Sequence, residues 1–234
     1  MSNLNEQLIR TVIKGDRAGV EALLVQGAEV NITGGVTALG ASNTALMWAA
    51  GEGYLEIATL LLDRGADVNA KNAANYTALM FAAESDYRDV VLLLLDRGAT
   101  IHDRNQYHET VLMSISRRGQ TDIVQRLVAM GAEIEATNKI GDTALYLAVD
   151  GGHSYTMKAL IELGAAVNTE NLGGWTPLMM ASARGDLETI AILLAHGADF
   201  RPQNRWGATA LSEARKSVRS RQAIELLVGA GAKE

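Results

Sequence analysis

The segment Gly65–Leu79, GADVNAKNAANYTAL, decides the fold because its pattern returns along the whole chain. Its threonine, Thr77, recurs at intervals of 33 residues, and a leucine follows each threonine two positions later. The threonines stand at Thr44, Thr77, Thr110, Thr143, Thr176 and Thr209. A Gly-Ala pair closes each interval. So many columns in one register indicate an internal repeat, and a period of this length indicates a stacked array.

Each column of the repeat suits a pair of short helices. A threonine hydroxyl can accept a hydrogen bond from the first turn of a helix, so Thr77 is predicted as an N-cap. Apolar residues such as Ile57, Leu61 and Leu62 form one stripe on the second helix. Glycine ends helices in the left-handed conformation, and Asn72 is placed for an Asx-type turn. One such unit cannot bury both faces, so the units must stack.

This pattern resembles the ankyrin repeat. The family's Thr-Pro-Leu-His motif appears as Thr77-Ala78-Leu79-Met80, and it keeps its proline only at Pro177. The family's Gly-Ala-Asp-Val-Asn segment is intact at 65–69. The resemblance implies an all-α ankyrin-repeat solenoid of about seven stacked helix-turn-helix units, with hairpin loops and no true sheet. The motif histidine, replaced mainly by methionine, implies that apolar contact ties neighbouring turns.

The resemblance covers residues 1–234 as a single ankyrin-repeat domain. Its predicted units are about 4–35 (the N-terminal cap), 39–71, 72–104, 105–137, 138–170, 171–203 and 204–234 (the C-terminal cap). The first hairpin differs from the others, since 12 residues separate Asn31 from Thr44 where 7 separate Asn69 from Thr77. The loop at 34–42 is therefore predicted to be longer than its counterparts.

Composition excludes several classes of partner. The net charge is −6, whereas a nucleic-acid binder usually shows a basic balance, so nucleic acid is not expected. No apolar run is long enough to span a bilayer, so no membrane partner is expected. With no cysteine, the chain has no disulfide and no thiolate nucleophile. These features favour a cytoplasmic location, with a periplasmic or secreted one as the alternative if a signal was removed.

No constellation of residues indicates catalysis. The four histidines lie in different repeats without metal-ligand spacing. His102 and His108 share a hairpin with Asp103 and Glu109, which is a solvated loop or, less favoured, a metal site. No motif pairs a serine nucleophile with a histidine base. We therefore expect that the chain is not an enzyme and that it uses no cofactor and no metal.

The resemblance implies a module that binds a partner protein through its hairpin tips and its concave inner-helix face. Columns that vary between units are free to serve a partner, and Trp, Tyr and Arg dominate binding hot spots. The candidates are Tyr76, Tyr107, Arg117, Arg118, Asp142, Asp150, Trp175, Arg184 and Trp206. Ile140, Leu172 and Arg205 stand near the same tips. The basic stretch 201–221 is either a docking patch or a solvated cap.

The partner class leaves alternatives open. An adaptor, an inhibitor and an effector all fit a free-standing repeat array that acts as a monomer. The alternative is a structural array that assembles with itself through its exposed aromatic residues. An enzyme or a metal-binding protein is the third and least favoured reading.

Overall fold

The computed structural model describes residues 2–36 and 42–233, and the chain forms two compact units. Unit 1 extends to Gln106, and unit 2 begins at Tyr107. Both are built from pairs of short helices joined by hairpins, which confirms the predicted all-α repeat fold. The seven predicted boundaries and the single domain over 1–234 stay a prediction.

Unit 1 contains six helices and one short sheet among its described residues. The helices are α1 (Ser2–Ile13), α2 (Arg17–Val25), α3 (Ala45–Gly51), α4 (Leu55–Asp63), α5 (Ala78–Glu84) and α6 (Arg88–Asp96). Strand β1 (Thr33–Val36) pairs antiparallel with β2 (Ser42–Thr44). This two-stranded ribbon is the base of the long first hairpin. Residues 37–41 of the predicted 34–42 loop lie outside the described residues.

Unit 2 contains eight helices among its described residues. They are α7 (Val111–Arg118), α8 (Thr121–Ala129), α9 (Ala144–Gly151), α10 (Ser154–Glu162), α11 (Pro177–Arg184), α12 (Leu187–Ala195), α13 (Ala210–Ala214) and α14 (Ser220–Gly229). The first helices of the pairs, α7, α9, α11 and α13, pack in sequence against one another. The second helices, α8, α10, α12 and α14, form a parallel row behind them.

The threonine column caps the first helix of each pair, as predicted. Thr77 Oγ1 accepts a hydrogen bond from Met80 N at 3.3 Å, and Thr143 Oγ1 accepts one from Tyr146 N at 3.2 Å. All six threonines make the equivalent bond. At Met47 the sulfur also accepts from Thr44 N at 3.4 Å. Methionine therefore adds a weak acceptor to the buried volume predicted for it.

The glycine of each Gly-Ala pair has the left-handed backbone that the sequence predicts. Gly98 has φ +82° and Gly131 has φ +94°, and a side chain placed on either would meet no atom within 4 Å. The requirement for glycine there is conformational, because a left-handed backbone is strained for residues with a Cβ. These positions end α6 and α8 and let the chain turn back.

Asparagine side chains connect consecutive pairs. Asn69 Nδ2 donates to Gly98 O at 3.3 Å, and Asn69 Oδ1 accepts from Thr100 N at 2.8 Å. In unit 2, Asn168 makes the same two bonds with Gly197 O and Asp199 N. These amides satisfy backbone groups at the turn of the next pair, so they fix the spacing between neighbouring pairs.

The core is a set of aliphatic columns, as the repeat predicts. From the second pair onward, one leucine per pair is fully buried on the second helix, namely Leu61, Leu94, Leu127, Leu160, Leu193 and Leu227. Small residues such as Ala82 and Ala148 on the first helices allow close helix packing. Within residues 2–36 and 42–233, no helix has both the length and the apolar character to cross a membrane.

Candidate functional site

Four large apolar side chains stand exposed at successive hairpin tips of unit 2. Their exposed fractions are 44% for Tyr107, 61% for Ile140, 59% for Leu172 and 75% for Trp206. We call these four residues the tip row. Single exposed apolar residues are ordinary, but a contiguous row is typical of an interaction surface.

The backbone beneath the tip row is held by hydrogen bonds between neighbouring hairpins. Lys139 N donates to Tyr107 O at 2.9 Å, Leu172 N donates to Ile140 O at 2.9 Å, and Arg205 N donates to Gly173 O at 3.0 Å. Each bond joins one tip to the next. The spacing of the tip row is therefore set by main-chain bonds and does not depend on the exposed side chains.

Each hairpin is also closed from within by an asparagine. Asn171 Oδ1 accepts from Gly173 N at 2.9 Å and from Trp175 N at 3.0 Å. Asn138 and Asn204 make the same pair of bonds in their hairpins. This is the predicted Asx-type turn. In unit 2 the exposed tip residue lies one position after the asparagine at Leu172 and two positions after it at Tyr107, Ile140 and Trp206.

Two tryptophans meet around Gly173. A methyl group on Gly173 would lie 3.2 Å from Trp175 Cδ1 and 3.7 Å from Trp206 Cζ3. Trp175 is half-buried there, whereas Trp206 leaves most of its indole exposed. The absence of a side chain at Gly173 lets both rings approach the hairpin. The structure thus places both predicted tryptophans beside the hairpin that carries Leu172.

Charged candidates lie at the C-terminal ends of the first helices. Arg117 is half-buried and forms an ion pair with Glu109, whereas Arg118 is exposed. Asp150 is exposed at the end of α9, and Arg184 Nη1 donates to its carbonyl oxygen at 2.7 Å. Arg184 thus contacts the backbone of Asp150. Arg117 already has a carboxylate partner within its own unit.

Asp142 corrects the expectation of an accessible carboxylate. Its side chain is only 5% exposed, and its Oδ1 accepts from Asn171 Nδ2 at 2.9 Å. Burial raises the pKa of the Asp142 carboxyl and the nearby Asp150 carboxylate raises it further, against hydrogen bonds from Asn171 and Asn138. The residue connects two hairpins, because the position before the threonine faces the next hairpin and not solvent.

The pKa of the Tyr146 phenol depends on burial and in part on the same two carboxylates, those of Asp142 and Asp150. Burial raises the pKa of the Tyr146 phenol, and the charges of Asp142 and Asp150 raise it further. The phenol therefore stays neutral at physiological pH.

In unit 1, Tyr76 is also less accessible than the sequence predicts. The residue was predicted to be exposed at a tip, but only 7% of it is exposed. Its ring packs in a cluster with Ala74 and Met80, and its centroid lies 5.1 Å from that of Phe81. Phe81 supplies an apolar neighbour on α5 that covers the ring. Tyr76 is therefore a packing residue.

Some of the basic side chains in the stretch 201–221 form ion pairs with carboxylates. Arg201 forms a two-bond ion pair with Asp199, Lys216 pairs with Glu213, and Arg221 pairs with Glu225. Among the described residues, the exposed side chains of Arg184, Arg205 and Arg219 form no ion pair with a carboxylate. We call these three arginines the basic end.

The hairpin with His102 is engaged in structural contacts. Asp103 accepts from Lys71 Nζ at 2.6 Å and from Thr100 Oγ1 at 2.5 Å. Across the part of the chain that the structure describes, no three His, Asp or Glu side chains are grouped to hold a metal ion. The carboxylate of this hairpin serves the turn in which it lies.

Ile140 and Leu172 belong to the tip row but are not among the residues nominated from the sequence, and Arg219 entered only as part of the basic stretch 201–221. The sequence places Ile140 and Leu172 near the tips, but hot-spot statistics favour aromatic residues over them. What could identify these two residues in the sequence is their position in the repeat, since Leu172 lies one residue and Ile140 two residues after the asparagine of the Asx turn. Arg219 has no such signal, because its helix start is shifted in the last pair.

Known proteins share the repeat and the architecture. Three copies of a family model described as ankyrin repeats match residues 8–105, 99–171 and 157–234. The crystal structure of the human ASB11 ankyrin repeat domain is similar, with a TM-score of 0.78 and 28% sequence identity. That match covers 94% of this chain and 96% of the human domain. No curated protein matches the sequence.

Proposed function

The chain belongs to the ankyrin-repeat family, and on that premise we propose that it is a protein-interaction module whose binding face lies in unit 2. This unit-2 face consists of the tip row and the charged C-terminal ends of the first helices. Ankyrin repeats generally bind other proteins and are typically not catalytic. The module acts as an adaptor, an inhibitor or an effector. It is a monomer and binds neither membranes nor nucleic acids.

The observation that carries the proposal is the tip row. Its four apolar side chains stay exposed on hairpins whose backbone is fixed by hydrogen bonds. A preorganised apolar row loses little conformational entropy on binding, which favours affinity. Trp206 is the strongest single anchor, since tryptophan is enriched among hot-spot residues and this indole is three-quarters exposed.

Capture from the cells that make this protein tests the face directly. The bait is the full chain as wild type, as a Trp206→Ala/Leu172→Ala double variant, and as a Tyr155→Ala control. Tyr155 is 80% exposed on α10 in the second-helix row of the same unit, so it matches the loss of an exposed aromatic residue elsewhere. We expect a protein that the wild type and the control retain and that the double variant loses.

Two results would contradict the proposal. A partner that is retained by the double variant and lost by Tyr155→Ala would move the binding face to the second helices. The competing function, a self-assembling array, is favoured by the same exposed row. Light scattering over a range of concentrations separates the two, because self-assembly predicts a stable oligomer that Trp206→Ala/Leu172→Ala dissolves.

A further inference from the structure

We propose that the unit-2 face binds an acidic protein segment that carries an apolar anchor residue, with the anchor on the tip row and carboxylates on the basic end. This inference rests on the proposed function, since it names the chemistry of the partner at the same face. The observations that carry it are the charge distribution of the chain and the positions of three arginines.

The charge of the chain is unevenly distributed. Unit 1 has 8 basic and 13 acidic residues, whereas unit 2 has 13 basic and 14 acidic residues. In unit 1 the first helices α3 and α5 end near Glu52 and Glu84, whereas in unit 2 α7 and α11 end near Arg118 and Arg184 and α9 ends near Asp150. A basic face on an acidic chain is a local feature and does not follow from the overall composition.

Arg184 and Arg219 form the helix-end part of the site. Arg184 Nη1 donates a hydrogen bond to the backbone oxygen of Asp150. A methyl group added to Gly152 would lie 3.0 Å from Arg184 Nη2. Arg219 Cβ lies 3.3 Å from the equivalent position on Gly185, next in sequence to Arg184. The two guanidinium groups thus belong to neighbouring turns, and either can bind a carboxylate with two parallel hydrogen bonds.

Arg205 forms the tip part of the site. It precedes Trp206 directly, and its backbone is fixed by the bond to Gly173 O. An apolar side chain that packs on Trp206 and Leu172 therefore brings the adjoining backbone of the partner beside a guanidinium. A carboxylate within one or two residues of the anchor can reach Arg205.

The length of α11 sets the spacing expected in the partner. α11 has 8 residues and ends at Arg184, so the tip lies at least about 12 Å from Arg184 at the rise of an α-helix. An extended chain covers that length in about four residues. The inferred segment therefore carries one acidic group beside its anchor and a second about four residues away.

Protein is favoured over a nucleic acid by the acidic groups within the face. Asp150 is exposed beside Arg184, and Glu109 pairs with Arg117. A phosphate backbone presents negative charge at every nucleotide and is repelled there. A peptide can place apolar or neutral residues opposite those carboxylates.

Selection from a displayed library of random 12-residue peptides, with the full chain as bait, tests the inference. We expect the selected peptides to share an aromatic or aliphatic anchor with Asp or Glu near it and about four residues away. Synthetic copies should lose at least about tenfold in affinity for Arg184→Ser/Arg205→Ser, because two desolvated charge pairs are removed. Raising the salt concentration should weaken the wild-type complex in the same way.

The matched control is Arg201→Ser/Arg221→Ser, which changes the net charge equally. Both arginines are exposed, but they are paired with Asp199 and Glu225. Peptide affinity for this control should stay within about twofold of wild type, as expected when only distant screened charges change. Melting temperatures should match for both double variants, because all four side chains are exposed.

The outcomes separate this inference from the proposed function. Selected peptides that are neutral or basic, but that still require Trp206, overturn the acidic chemistry and leave the face in place. Acidic peptides that bind both double variants equally also overturn it. Peptides that require Tyr155 and not Trp206, or an empty selection, count against the face itself. A single-stranded oligonucleotide that displaces the selected peptides at equal concentration would show a nucleic-acid site and overturn the inference.

Discussion

Units 1 and 2 are built on the same repeated columns, but they differ at the hairpin tips and at the ends of their first helices. In unit 1 the tip residue Ala74 is buried and Tyr76 packs on Phe81. In unit 2 the same column carries Tyr107, Ile140 and Trp206 on the surface. The helix ends change from Glu52 and Glu84 to a set dominated by arginine.

The comparison separates the positions that the fold dictates from those that it leaves free to vary. The threonine caps, the left-handed glycines and the buried leucines are the same in both units, because packing and backbone geometry dictate them. The tips and helix ends are not dictated in that way, so they differ between the units. The expected effects of mutation follow this division.

The largest effect should be the same in both units. Leu94→Ala in unit 1 and Leu127→Ala in unit 2 each remove a fully buried side chain of the same column. Each should lower the free energy of unfolding by about 2–5 kcal/mol, from lost burial and a residual cavity. Urea denaturation measures both. A cost below 1 kcal/mol in one unit alone would break the claim that the two cores are equivalent.

Backbone strain should be the next largest effect, and again equal in the two units. Gly98→Val and Gly131→Val force a β-branched residue into a left-handed backbone with open space around it. The expected loss is about 1–3 kcal/mol for each. Because no neighbour clashes, the smaller Gly98→Ala should lose a similar amount. A much smaller loss for alanine would show a steric cause that the structure does not contain.

The residue before the capping threonine is the neutral Asn43 in unit 1 and the acidic Asp142 in unit 2. Asn43 in unit 1 and Asp142 in unit 2 are both buried, and both accept from an asparagine of the next hairpin. Burial raises the pKa of Asp142. A carboxyl with a raised folded pKa stabilises the fold fully below its unfolded pKa, and this contribution is lost as the pH rises through the folded pKa.

Asp142→Asn should therefore be more stable than wild type at pH 7, and the difference should shrink as the pH falls toward about 4. Asn43→Asp should do the reverse and make unit 1 less stable at neutral pH than in acid. Thermal denaturation across that pH range measures both. An Asp142→Asn variant that is less stable than wild type at every pH would show that the carboxylate is required in its charged form.

The smallest effect on stability should come from the tips of unit 2. Tyr107→Ala should change the free energy of unfolding by no more than about 0.5 kcal/mol, since the ring is largely exposed. Tyr76→Ala is the contrasting variant, and its buried ring should cost several times as much. Similar losses for the two tyrosines in urea would remove the distinction between a packing tip and a binding tip.

The candidate site was only partly predictable from the sequence. The register correctly placed Tyr107, Trp206 and Arg184 on the surface, because periodicity tells which columns face the core. It failed at Tyr76 and Asp142, since each is covered by a residue from another segment. Phe81 lies on the helix that follows Tyr76, and Asn171 lies 29 residues after Asp142. No local pattern reports contacts of that kind.

By itself, the sequence determined the repeat, its helices and their caps, because each depends on local backbone chemistry that returns every 33 residues. Threonine caps a helix, and glycine adopts a left-handed turn, whatever lies far away in the chain. Only the tertiary structure decided which charges are compensated. Arg117 finds the carboxylate of Glu109 while, among the described residues, Arg184 and Arg205 form no ion pair with a carboxylate, because ion pairing depends on which side chains the folded hairpins and helices bring within a few ångströms.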